Sequence, residues 1–285
     1  HHHHPISFFV GTMASPNFRG TMLLLQNRTK RDPEAYEEEF NAQLAHFDAH
    51  SKAMATSSKS HSNQQYLAVL SYICHVSSCY KKQCAHVPQV IIDTLQNKGK
   101  GSLDPETRIT LVKNLILLRS RQIVTPEQTM PVFFDLLLIR EKALRKLILS
   151  HIVGDIKRIN LPGAKNSAQT NKKVQSFLFG VMKEDDPVQA YSALVIVIDL
   201  YRRQIWSDER AVEVLTEACF SRHSKILRVA LRFFLMQMPK VSAMESDNDD
   251  DDLEDPGRAI SKMKQKLKIK AKTKKRERVL EREKK

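Results

Sequence analysis

LDPETRITLVKNLILLRSRQIVTPEQ (103–128) and DDPVQAYSALVIVIDLYRRQIWSDER (185–210) are two readings of one pattern. At an offset of 82 residues, Asp104 and Pro105 return as Asp186 and Pro187, and Arg121, Gln122 and Ile123 return as Arg203, Gln204 and Ile205. Thr125 maps to Ser207 as the next helix N-cap, and Glu127 maps to Glu209. One residue later in register, KALR (142–145) returns as KILR (225–228). This period is two units of ~41 residues, the length of a HEAT or armadillo helix pair. A single pair cannot bury its own apolar face, so pairs stack into a solenoid with an extended surface.

Outward from this core the spacing stays helical. Ile109, Val112, Leu115, Ile116 and Leu118 recur every three or four residues, as one buried face of a helix requires. Similar apolar segments occupy 64–80, 87–98, 105–121, 126–139, 141–160, 170–183, 187–205, 208–221 and 223–237. Asp-Pro pairs and Thr125-Pro126 with Gln128 supply N-caps, first-turn prolines and a capping-box acceptor. ALVIVIDL (193–200) is apolar nearly all round, which predicts a central helix covered on both sides. A helix is also expected over 33–50, with Asp32 as N-cap and Pro33 at its first position, followed by a mobile polar connector, 49–63. Eight glycines in 285 residues suit stacked helices, since glycine-rich phosphate loops and short-stranded β folds need more.

These readings make the protein all-α, a HEAT/armadillo-like α-solenoid of stacked helix pairs with a disordered acidic and then basic C-terminal tail. The boundaries read as an unstructured start at 1–22, a helical-repeat domain at 23–240, an acidic linker at 241–257 and a basic tail at 258–285. His1–His4 and the following PISFFVGTM look like a tag remnant or a gene-model artefact. No apolar run approaches the ~20 residues of a membrane span. Four cysteines in a chain this long fit reduced thiols better than a disulfide framework.

The net charge of +14, from 46 Lys plus Arg against 32 Asp plus Glu, is unevenly placed. Residues 245–255 hold eight acids and no base, whereas 256–285 hold fourteen Lys or Arg and three Glu. That partition is −8 and +11, leaving +11 for the preceding 244 residues. Lys262, Lys264, Lys266, Lys268, Lys270, Lys272, Lys274, Lys275, Arg276 and Arg278 form a cationic arm. Alternating Lys cannot pack a core, so the arm reads as a nuclear import signal, a phosphate-binding element, or both. The acidic block is a charged spacer, or a mask over the arm. A second basic patch comprises Lys157, Arg158, Lys165, Lys172 and Lys173, with no acid within the loop 160–173 that it brackets.

Catalysis finds no support. Around Gly99, Lys100, Gly101 and Ser102 a phosphate loop fails, because Thr94 stands where glycine is needed and Gly101 where Ser or Thr is needed. Cys74, His75, Cys79, Cys84 and His86 are the nearest approach to a metal cluster. A step of five residues rotates a helical side chain by about 500°, or ~140° net, so Cys74 and Cys79 diverge and the set reads as structural. No metal, cofactor, small-molecule substrate or membrane partner is expected.

LQNRTKRDPEAYEEEF (25–40), LDPETRITLVKNLILLRSR (103–121), SHIVGDIKRIN (150–160), LYRRQIW (200–206) and EACFS (217–221) occur in this order. Together they resemble the amino-terminal part of the Severe Depolymerization of Actin (SDA) protein family, from about Leu23 to Met236. The resemblance implies a non-enzymatic nucleolar factor of ribosome biogenesis. Its partner would be the pre-ribosomal large-subunit (60S) particle, with its rRNA, ribosomal proteins and other assembly factors. It implies roles in maturation and nuclear export of that particle, an import receptor for the basic tail, and an indirect link to actin cytoskeleton organisation. It further implies that these 285 residues are the front part of a longer chain. The competing reading is a nuclear transport adaptor whose solenoid groove binds a protein cargo or an export receptor.

Overall fold

The computed structural model describes residues 17–56, 64–98, 103–184 and 186–235. A unit boundary falls between Val241 and Ser242. The start at 1–16, the acidic linker, the basic tail and Gly99–Ser102 lie outside the described residues. Eleven helices and no strand occur among the described residues. They are α1 (Phe18–Arg31), α2 (Glu37–Thr56), α3 (Gln64–Val76), α4 (Val87–Lys98), α5 (Pro105–Ser120) and α6 (Pro126–Leu136). Then follow α7 (Lys142–Ile159), α8 (Ser167–Lys183), α9 (Pro187–Arg202), α10 (Glu209–Ala218) and α11 (Ser224–Phe234). None is long and apolar enough to cross a membrane.

Alternate helices share a layer. The odd-numbered helices α1 to α11 pack each on the next odd one, and α4, α6 and α8 pack likewise in the second layer. Between layers, α4 lies on α5, α6 on α7, α8 on α9 and α10 on α11. Same-layer helices run parallel, as two ion pairs between α5 and α7 show: Arg108 meets Glu141 at the helix starts, and Arg119 meets Asp155 near the ends, each at 3.0 Å. Helix α9 touches α7, α8, α10 and α11. Its residues Ser192–Leu200 are all buried, so the all-round apolar run is indeed the covered central helix.

The 82-residue period spans two helix pairs, α5–α6 and α7–α8, and α5–α6–α7 returns as α9–α10–α11. Asp104 accepts from the Thr107 amide at 3.1 Å, and Asp186 from the amides of Val188 and Gln189 at 2.9 and 3.1 Å. Both repeats also end their first helix alike. The Ile123 amide reaches the Leu118 carbonyl and the Gln122 amide that of Arg119, both at 3.0 Å. The Ile205 and Gln204 amides do the same to Leu200 and Tyr201 at 3.0 and 2.9 Å. These are Schellman closures, which need a left-handed residue and usually take glycine. Here Gln122 and Gln204 occupy it at φ 61° and 57°. Gln122→Gly and Gln204→Gly should each stabilise the fold by about 0.5–1 kcal/mol, read as a higher denaturant midpoint. A lower midpoint for both would show that the glutamine side chains contribute more than the backbone strain costs.

Several boundaries differ from the sequence expectation. Helix α1 begins at Phe18, inside the segment expected to be an unstructured start. Its buried Phe18, Met22, Leu25 and Thr29 lie on α3 at helical spacing, with Thr29 hydrogen-bonded to the Tyr72 hydroxyl at 3.0 Å. The exposed Leu23 and Leu24 obscure that period in sequence. Asp32 caps the C-terminus of α1 instead of starting a helix, and its carboxylate accepts from the Ala35 amide at 3.2 Å. Helix α2 starts only at Glu37 and extends through the first half of the expected connector to Thr56, with 57–63 outside the described residues. The α1–α2 turn is fixed from below, because the Tyr80 hydroxyl donates to the Pro33 carbonyl at 2.6 Å while its ring stacks on Phe40 at 4.0 Å. In the second repeat Asp208, not Ser207, caps α10, accepting from the Ala211 amide at 3.3 Å. A carboxylate beside the positive end of a helix outcompetes a hydroxyl. At the first repeat Gln128 accepts from both the Thr125 amide and hydroxyl at 3.1 Å, the glutamine half of a capping box.

Candidate nucleic-acid interface

The second basic patch is built at one junction. Helix α7 ends at Ile159 and α8 starts at Ser167. Between them the chain reverses through left-handed Gly163 (φ 84°) and Asn166 (φ 56°). Three side chains pin the reversal. Asn160, capping α7, donates to the Ile156 carbonyl and to Asn171 Oδ1, both at 2.8 Å, and Asn171 donates back to Asn160 Oδ1 at 2.5 Å. The Trp206 indole N–H donates to the same Asn171 oxygen at 3.2 Å. Trp206 is 2% exposed with its edge toward Phe179. The single tryptophan thus anchors the α9–α10 turn onto the α7–α8 junction.

On this frame Lys157 and Arg158 stand on the last turn of α7, Lys165 in the loop, and Lys172 and Lys173 on the first turns of α8, all exposed. The absence of acid holds only along the loop. Within α7, Asp155 lies one turn before Arg158 at 3.7 Å, and tertiary packing brings Glu127 of α6 to Lys173 at 3.5 Å. Burial pushes the Glu127 carboxyl up, but hydrogen bonds from its own amide and Thr125, with Lys173 beside it, hold it below the usual range. Lys157, Lys165 and Lys172 face solvent with no acidic partner among the described residues. The other ten site residues, in the basic tail, lie outside the described residues.

Larger than this junction is a charge difference between the two layers. The odd helices α1 to α11 carry sixteen Lys or Arg against three Asp or Glu, and the even helices six against ten. Two of the three odd-layer acids, Asp155 and Asp199, are buried, leaving only Glu106 exposed. Against it stand twelve exposed cations, from Arg19 and Arg28 on α1 through Lys113 on α5 and Lys157 on α7 to Arg228 and Arg232 on α11. Apart from Lys157 and Arg158, sequence reading missed these because the basic helices α1, α7 and α11 stand far apart in the chain, with the acidic α2, α6 and α10 beside them. Sorting helices by odd and even order exposes the pattern.

The cysteine and histidine set separates into unrelated contacts. Cys74 and Cys84 are buried, and Cys79 is exposed. Burial pushes the Cys84 thiol up to about 12 and that of Cys74 well above its ordinary value, so both stay protonated. His86 contacts Asp48 at 2.8 Å, and His75 Nδ1 lies 2.7 Å from the Ser71 carbonyl. Among the described residues no group of three His, Cys, Asp or Glu is arranged to hold a metal ion. A groove of about 350 Å³ lies where α8 and α10 end and α9 and α11 begin. Ala190, Val214, Ala218 and Ile226 line it, and Phe220, 85% exposed, stands at its rim.

Antiparallel helix pairs stacked in two layers, joined by short turns and repeated along the chain, define a helical-repeat scaffold of the HEAT kind. The family described as "SDA1, HEAT repeat" matches residues 72–285, through the acidic block and the basic arm. The chain belongs to the SDA1 family. A Protein SDA1 homolog of Dictyostelium discoideum is 39% identical over 217 residues, which is 75% of this chain and 28% of that protein. Its Xenopus laevis counterpart is 35% identical over 211 residues, 74% of this chain and 30% of that protein. Protein SDA1 of Chaetomium thermophilum is 28% identical over 235 residues, 81% and 30% of the two chains. The chain spans under a third of the length of these relatives.

Proposed function

We propose that this chain is the helical-repeat part of a non-enzymatic ribosome-biogenesis factor that docks on precursors of the large (60S) subunit in the nucleolus and supports their maturation and nuclear export. Beside family membership, the observation that carries this reading is the α7–α8 junction. Lys157, Lys165 and Lys172 project there from a tryptophan-pinned turn with no acidic partner among the described residues. Such a cluster suits rRNA phosphate. The Lys-rich arm adds an import-receptor signal and a second phosphate contact. Its link to actin organisation is indirect. The adaptor reading draws its support from the groove edged by the exposed Phe220, an aromatic contact beside Ala190, Val214, Ala218 and Ile226 in a rim that also carries Lys183, Glu217 and Arg222.

Affinity purification of the tagged full chain from nuclear extract separates the two readings. Co-purification of large-subunit precursor rRNA with ribosomal proteins is the expected result. Recovery of a transport receptor and its cargo without precursor rRNA would replace the scaffold with the adaptor.

A further inference from the structure

We infer that the exposed face of the odd-helix layer, α1, α3, α5, α7, α9 and α11, is a docking surface for the phosphate backbone of double-helical RNA. This rests on the ribosome-biogenesis reading and names the surface that would serve it. The first support is segregation. Twelve exposed cations and one exposed acid lie on one layer, while the other layer of the same fold is net acidic. A generally basic protein would not need to sort its charge this way, and a one-sided field concentrates a polyanion on one face. The second support is extent. Neighbouring helices lie roughly 8–10 Å apart, so cations on α1, α5, α7 and α11 sample a run of phosphates and not a single group. A short acidic peptide cannot span them.

The third support is what the face lacks. No Phe, Tyr or Trp of α1, α3, α5, α7 or α9 is exposed, and Phe234 at the end of α11, 44% exposed, is the one exposed aromatic of these six helices, so unpaired bases find no continuous stacking platform along the face. A paired helix presents phosphate and 2′-hydroxyl groups and is read by shape. Along α7 the outward positions Lys146, Ser150, Gly154 and Lys157 follow helical spacing, and a methyl placed on Gly154 would meet nothing within 4 Å. That leaves room for a backbone to approach between the two lysines.

Fluorescence anisotropy with a ~20-base-pair RNA duplex at low salt tests the proposal on the full 285-residue chain. Lys113→Gln, Lys157→Gln and Arg228→Gln together remove three odd-layer charges. Ala45→Glu, Gln96→Glu and Thr216→Glu change net charge equally on exposed even-layer positions. The odd-layer variant should bind about ten-fold more weakly or worse, with a salt slope shallower by about two to three, and the even-layer variant within about three-fold of the parent. Equal losses in both variants would overturn the proposal, since net charge alone then explains binding. So would full binding by the odd-layer variant with loss on deleting 258–285, which would leave the ribosome-biogenesis reading intact through the arm. Tighter binding of poly-glutamate than of the duplex to the same face would assign it to an acidic protein instead. If the parent chain binds no duplex yet still co-purifies with precursor rRNA, this inference fails alone. If it does neither, both fail.

Discussion

Arg119→Met should destabilise the fold by about 3–5 kcal/mol at neutral pH, the largest loss expected from any single surface-adjacent substitution in the chain. The Arg119 guanidinium donates through Nε to Asp155 at 3.0 Å, and the side chains are 14% and 2% exposed. It also reaches the Val124 carbonyl in the turn after α5 at 3.5 Å. Removing the arginine leaves the buried carboxylate only the longer contact to the half-exposed Arg158 at 3.7 Å, and desolvation without a close partner is the expensive half of a buried ion pair. Burial already pushes the Asp155 carboxyl above its ordinary value, although Arg119 and then Arg158 pull it down. Replacing both groups, Arg119→Met with Asp155→Leu, should recover most of the loss, because no charge is then left without a partner. Denaturant unfolding of the four species in a double-mutant cycle measures this. A single-variant loss below about 1 kcal/mol, or no recovery in the pair, would mean that water already solvates Asp155.

His151 should make the same region acid-labile. It is buried on α7 with its ring edge against Phe133 at 5.2 Å, and its Nε2 has no hydrogen-bond partner. Burial chiefly, then Arg158 and Arg119, lowers its pKa from 6.5 to about 4. Asp155 lies 4.0 Å from Nε2, too far for a hydrogen bond, and His151 is neutral at pH 7, so the two form no ion pair there. With a folded value below the unfolded one, the native state binds fewer protons between about 4 and 6.5. Stability is therefore complete above about 6.5 and falls as pH drops toward 4, by at most about 3 kcal/mol. The raised pKa of Asp155 has the opposite sign, contributing stability as its carboxyl takes up a proton, so it offsets part of the loss at the acid end. His151→Leu, which removes both the titration and the unpartnered nitrogen, should flatten the unfolding free energy between pH 7 and 5. An unchanged slope in that variant would place the acid sensitivity elsewhere.

Much of the fold is legible in sequence because the signals are local. Asp104-Pro105, Asp186-Pro187 and Thr125-Pro126 with Gln128 start helices in the way their side chains dictate. The return of Arg-Gln-Ile after 82 residues marks the same Schellman closure twice. Where local signals compete, tertiary packing prevails. Asp32-Pro33 has every mark of a helix start, yet the chain before it is helical through contact with α3, and Tyr80 and Phe40 hold the proline in a turn. The candidate site divides the same way. Lys157, Lys165 and Lys172 cluster because they are near in sequence, and Asp155 one turn before Arg158 is equally local, whereas Glu127, which pairs with Lys173, comes from another helix.

Composition and the 82-residue period alone establish a basic chain of paired helices, while the family is carried by specific residue strings such as LYRRQIW (200–206) and by the family match over 72–285. They do not establish where the charge lies. That follows from stacking, which sends consecutive helices to opposite layers and so gathers +4 from α1, +4 from α7 and +3 from α11 on one side, while the acids of α2, α6 and α10 gather on the other. A one-dimensional average mixes these contributions, because each basic helix sits beside an acidic or neutral one along the chain. Only the packing of each odd helix on the next odd one, driven by burial of apolar faces that no single helix pair can cover, gathers the basic helices into one layer.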